Sequence, residues 1–136
     1  MLSKKGARPG QALAEFAMVA TVFFMLIFAI METCLAVYNY NMISSAAIQA
    51  TRYAIVHSPT SANPATTSQI QQVAINAAPA LALSSSNITV SWPTDPNLPS
   101  KQDAQIQISY NYKLKIPFLS PITLTLTGTS QMLVSQ

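Results

Sequence analysis

Hydrophobic and polar positions follow three regimes along the chain. The first is an apolar run from Phe16 to Met31, sixteen residues interrupted only by Thr21. No Pro or Gly occurs from Gln11 to Val56, which predicts one helix of about 45 residues, near 68 Å long. In its second half Ala36, Tyr40, Ile43, Ala47, Ala50 and Ala54 recur at alternating four- and three-residue spacing. That is the spacing of one narrow packing seam. Asn41, Ser45 and Arg52 fall on another face. His57-Ser-Pro59 ends the helix, and the Ser/Thr/Pro/Ala/Asn-rich stretch that follows reads as a loop.

The second regime is short. Ser68-x-x-Gln71 has the form of a capping box, and Ile70, Val73, Ala74, Ala77 and Leu81 follow at helical spacing toward Pro79. The third regime has period two. Ile88, Val90 and Trp92 alternate with Thr89 and Ser91, and a Pro-rich loop runs from Pro93 to Pro99. Ile106, Ile108, Tyr110, Tyr112, Leu114 and Ile116 then lie on one face, opposite Gln105, Gln107, Ser109, Asn111, Lys113 and Lys115. This strict alternation predicts a half-buried antiparallel strand. Pro117 to Pro121 turns the chain, and Ile122, Leu124, Leu126, Met132 and Val134 keep the same parity, with Gly128 read as a bulge. The fold class expected is α+β: a long N-terminal transmembrane helix continuing into an extracytoplasmic domain with a second helix and a three- or four-stranded antiparallel sheet. The helix seam would cover the apolar sheet face.

Composition sharpens the first regime. Only 8% of the residues are charged, against about 25% in ordinary soluble domains. The apolar run alone spans about 24 Å, short of the roughly 30 Å hydrocarbon core, so the span must borrow neighbours. Thr33 to Val37 can supply them, and Tyr38 and Tyr40 fit an interfacial aromatic belt. Lys4, Lys5 and Arg8 precede the run, and no cation follows until Arg52. The positive-inside rule then places the N-terminus in the cytoplasm and residues from about 40 onward outside. No small-x-small site follows closely, which argues against ordinary signal cleavage. The net charge of +3, without a basic stripe, gives no reason to expect nucleic acid.

Enzyme chemistry finds no footing. His57 stands alone at a helix end, and Cys34 alone makes neither an intrachain disulfide nor a metal set. No G-x-S-x-G and no Gly-rich phosphate loop occurs. Glu15 and Glu32 are about 25 Å apart along one helix, too far for an acid/base pair. Asp95 and Asp103 are expected in or beside a solvated loop. No catalytic residue, cofactor or metal site is expected.

Glu15 is the exception, because an acid just inside an apolar run costs on the order of 2.5–3.5 kcal/mol at helix-centre depth and less near the edge. A compensating cation would be a free amine on Gln11, made by cutting after Gly10. Arg8-Pro9-Gly10 followed by Gln11-Ala-Leu-Ala-Glu15-Phe16 resembles the class III leader of type IV prepilins. Gly10 through Ala17, Glu32 after the run, Tyr38-Asn-Tyr-Asn41, Ala46-Ala47 and Arg52-Tyr-Ala54 resemble more specifically the TadE-like pseudopilins of tight-adherence (Flp) pilus assembly. Where that family carries Gly-Arg or a similar basic residue after the second acid, this chain has Thr33-Cys34.

The resemblance implies a basic leader over residues 1–10, a transmembrane helix over 11–38 and an extracytoplasmic pilin-like domain over 39–136. It implies cleavage between Gly10 and Gln11 by a prepilin peptidase, an electrostatic or assembly role for Glu15, and Glu32 as a second intramembrane acid. Implied partners are the peptidase, Flp-type pilin, other Tad pseudopilins, the inner-membrane assembly platform and the lipid bilayer. The location implied is the bacterial inner membrane, single-pass, in or at the base of a pilus. The rival reading is a membrane-tethered binding module that is never cut.

Overall fold

The structure is a computed structural model that describes residues 9–95, 97, 101–117 and 119–134. The expected leader therefore lies outside the described residues, apart from Pro9 and Gly10. The first helix, α1, runs unbroken over Pro9–Val56. It begins two residues before the expected start at Gln11. A proline is tolerated at a helix start, where a first-turn N–H needs no partner.

Two halves of α1 differ in what covers them. None of its most apolar eighteen-residue window is buried, so a membrane span is compatible and a soluble core helix is not. The other half is core: Ile43, Ala46, Ala47, Ala50, Thr51 and Ala54 are inaccessible to solvent. The seam corrects the expected one at a single position. Tyr40 is exposed, and the half-buried Asn39 takes its place between Ala36 and Ile43. Alanine is the residue that lets a helix lie this close to a sheet. Thr51 is tolerated in the seam because its hydroxyl donates to Ala47 O at 2.8 Å within the helix.

After α1, His57 N donates to Tyr53 O at 3.1 Å, and Pro59 prevents continuation. The second helix, α2, spans Thr67–Ala77. Its capping box is Thr66 with Gln69, not Ser68 with Gln71. Gln69 N donates to Thr66 Oγ1 at 3.3 Å, and Thr66 N donates to Gln69 Oε1 at 2.9 Å. Gln71 is used elsewhere: its Nε2 donates to Ile88 O at 3.0 Å, tying α2 to the sheet. Ile70 and Ala74 are buried as their spacing predicts, whereas Leu81 is buried in the turn beyond the helix.

Strands β1 (Ile88–Ser91), β2 (Asp103–Leu114) and β3 (Ile122–Leu133) form one antiparallel sheet in the order β1-β2-β3. Their number falls within the expected range. β2 pairs with β1 from Ile88↔Ile108 to Ser91↔Gln105, and with β3 from Asp103↔Leu133 to Leu114↔Ile122. Pairing passes through Gly128 without a bulge. The glycine serves a different need. A Cβ at Gly128 would stand 2.8 Å from Ile43 Cγ2, 3.1 Å from Ser44 N and 3.2 Å from Ile43 C. Here β3 crosses α1 closer than any side chain allows.

The core gathers the seam from Ile43 to Ala54, Ile70 and Ala74 of α2, Ile88, Ala104, Ile106 and Ile108 of the sheet, and Val134 just past β3. Asp103 corrects a further expectation. It opens β2 and is buried, not solvated. The ladder encloses it: its N donates to Pro93 O at 2.8 Å, and its Oδ2 accepts from Gln131 Nε2 at 2.7 Å.

Candidate functional site

The residues singled out in the sequence all lie on α1, but in two separate places. Gly10, Gln11 and Glu15 occupy its first two turns, with no tertiary cover. Gly10 has no packing reason to be glycine, since an added Cβ would meet nothing within 4 Å. Glycine also weakens a helix by about 1 kcal/mol relative to alanine. Gln11 and Glu15 are one turn apart on the same face, and Gln11 Nε2 donates to Glu15 Oε1 at 3.2 Å. The carboxylate thus already meets the side chain of the residue whose backbone nitrogen follows Gly10.

Glu32 lies at the other place, where the uncovered half of α1 begins to meet the sheet. Tyr112 reaches across from β2, and its hydroxyl donates to Glu32 Oε2 at 2.8 Å. Burial pushes the Tyr112 phenol above its ordinary value near 10, and the Glu32 carboxylate reinforces this through the hydrogen bond and its charge. The phenol therefore keeps its proton and stays a donor over the ordinary pH range. Because the folded-state value is raised, the contact contributes fully below about pH 10 and is lost as pH rises through the raised value. Sequence spacing could not reveal this pair, whose members are 80 residues apart. The phase of Tyr112 on the apolar face was the one available signal. Replacing Tyr112 with Phe removes the donor and keeps the ring. The expected loss is about 1 kcal/mol, with the high-pH fall in stability reduced, as read by Trp92 fluorescence during denaturant titration in micelles.

The other titratable groups named in the sequence lie apart from these two places. His57 stacks on Tyr53 with ring centroids 4.3 Å apart, and its Nδ1 lies 3.1 Å from Tyr53 O. Cys34 is exposed on α1. Among the described residues, no three His, Cys, Asp or Glu side chains gather in a way that could hold a metal ion.

The β2–β3 hairpin extends well past the core. Its tip brings Pro117 alongside Thr21, Phe24, Met25 and Phe28 of α1, around a shallow apolar hollow. Fold and site together define a small α+β domain carried on a helix whose other half is a candidate membrane span. A family model described as TadE, TadE-like protein, matches residues 10–52, the family that the sequence resembles. The matched segment lies wholly within α1 and takes in Gly10, Gln11, Glu15 and Glu32. The match and the candidate span fit a single-pass membrane protein associated with the Tad pilus. No curated protein and no solved structure matches the chain.

Proposed function

We propose that the chain is a TadE-like pseudopilin, a minor pilin-like subunit that assists assembly of Flp-type tight-adherence pili and catalyses nothing itself. Its N-terminus lies in the cytoplasm, α1 crosses the bacterial inner membrane, and the sheet domain lies outside. A prepilin peptidase adds water across the Gly10–Gln11 peptide bond, leaving a carboxylate on Gly10 and a free amine on Gln11. The amine then pairs with Glu15 in the same or a neighbouring subunit, which offsets the carboxylate's cost at the membrane. Its working partners are Flp-type pilin, the other Tad pseudopilins and the assembly platform.

The observation that carries this reading is the pairing of a glycine that packing does not require with an uncovered acid one turn past Gln11. Both lie inside the TadE-like segment. Cutting there takes the bond from the first turn of a helix, where fraying is easiest.

Mass spectrometry of the membrane form, made with its cognate peptidase, should find a chain beginning at Gln11. Recovery of Met1 at the start of the membrane form would leave the uncut tethered module as the better account. Glu15→Ala should be cut and inserted normally yet leave cells with few or no pili. Normal piliation in that variant would remove the role given to the carboxylate.

A further inference from the structure

The far end of α1 carries a hollow remote from both the apolar run and the Glu32–Tyr112 contact. It forms where the chain leaves α1, loops back and enters α2. Tyr53, His57, Asn63, Pro64, Ala65 and Gln69 line a volume of about 230 Å³. That is under the roughly 300–1,000 Å³ of a drug-sized site and suits one ring of a larger ligand. Tyr53 lies 22 residues past Met31, about 33 Å along the helix axis from the end of the apolar run.

The walls are held from behind. Ala65 N donates to His57 O at 2.9 Å, which ties the returning loop to the helix end. Ser61 N and Ser61 Oγ both donate to Ser58 O, at 2.9 and 2.8 Å, and brace the loop from within. The His57 ring stacks on Tyr53 with centroids 4.3 Å apart. Its Nδ1 donates to Tyr53 O at 3.1 Å, so in the neutral ring Nε2 is an acceptor. The Gln69 amide is fixed through its oxygen, which accepts from Thr66 N at 2.9 Å and from Thr66 Oγ1 at 3.2 Å. Its Nε2 is thereby a pre-set donor.

Four polar groups of the lining have no hydrogen-bond partner among the described residues. They are the Tyr53 hydroxyl, His57 Nε2, the Asn63 amide and Gln69 Nε2. Donors and acceptors are both present, and no Lys, Arg, Asp or Glu lines the hollow. The chemistry is that of a neutral, hydroxyl-rich ligand. The two rings, Pro64 and Ala65 add apolar surface beside the polar groups. A pyranose ring matches this mixture, with hydroxyls around its edge and C–H groups on its faces. Side chains already held in place bind such a ring at a low ordering cost.

We propose that this hollow is a saccharide site that takes one pyranose residue of a glycan chain. The site goes beyond the pseudopilin reading, since neither the cut after Gly10 nor the Glu15 carboxylate enters it.

The test uses the full-length chain in lipid nanodiscs prepared without glycoside detergent. Saturation-transfer NMR is read on chitotriose, an N-acetylated chain, and on maltotriose, a plain hexose chain. Transfer to the ring protons of at least one is expected, with a roughly millimolar dissociation constant. Transfer to chitotriose alone assigns the site to N-acetylated glycans. Transfer to maltotriose, alone or with chitotriose, assigns it to pyranose chains that need no acetamido group. Transfer to neither overturns the site. Two variants keep the frame of the hollow. Gln69→Glu retains the acceptor that the capping box needs and loses the donor. Asn63→Ala removes an amide that bonds nothing else among the described residues. Each should keep the native Trp92 fluorescence and weaken binding about two- to tenfold, the worth of one hydrogen bond. An unchanged dissociation constant in either variant overturns the site.

Discussion

Gly128→Ala should destabilise the domain by about 1–3 kcal/mol, and Gly128→Val by more. The added Cβ meets the β-branched Ile43 side chain at 2.8 Å and the α1 backbone at 3.1 and 3.2 Å. A backbone in the middle of an unbroken helix cannot give way locally, and Ile43 is itself held in the core. The strand must lift off the helix, opening the packing of the alanine seam. Ile43→Ala separates the two contacts. It removes the 2.8 Å contact and leaves those to backbone. The double variant should therefore lose less than the sum of the single losses, by a coupling of about 0.5–3 kcal/mol. Simple additivity would show that Ile43 does not set the approach. Denaturant titration of the full chain in micelles reads this through Trp92, the sole tryptophan, which packs partly buried against the core.

Ile106→Ala should have a comparable or greater effect, about 2–5 kcal/mol. Ile106 is fully buried on the central strand, between its partners Val90 and Ser130. Whole domains are stable by only about 5–15 kcal/mol, and one this small lies near the lower end. The native Trp92 signal should thus weaken or vanish at physiological temperature. Membrane integration should survive, because the apolar window of α1 has none of its residues in the core. Ile106→Ala should stay with membranes through an alkaline wash while its domain becomes protease-sensitive. Loss from the membrane in step with loss of the fold would contradict the division of α1 into two independent halves.

Much of this was legible in the sequence because each element follows a simple period. The long helix follows from a stretch without Pro or Gly, and the strands from strict alternation. The departures come where two elements meet. Tyr40 fits the spacing as well as Asn39 does, but the ring stays exposed and Asn39 is the residue half-buried there. Gly128 looks like a strand irregularity until the opposing helix is in place. Asp103 looks like a loop residue until Gln131 arrives from β3. The candidate site divides in the same way. Gly10, Gln11 and Glu15 are neighbours on one helix, so their mutual placement follows from spacing alone. Tyr112 on Glu32, and Pro117 beside Phe24, join distant segments, and no local period encodes them.

The continuity of α1 has a mechanical consequence. One 48-residue rod belongs to both the candidate span and the domain core, and no Pro or Gly hinge separates them. Axial force on the rod therefore passes to the sheet undamped. A pull that extracts the helix by one turn lifts the whole domain by about 5.4 Å, and a twist of the helix turns the sheet with it. A machine that grips only the helix would thereby control the height and heading of everything the helix carries.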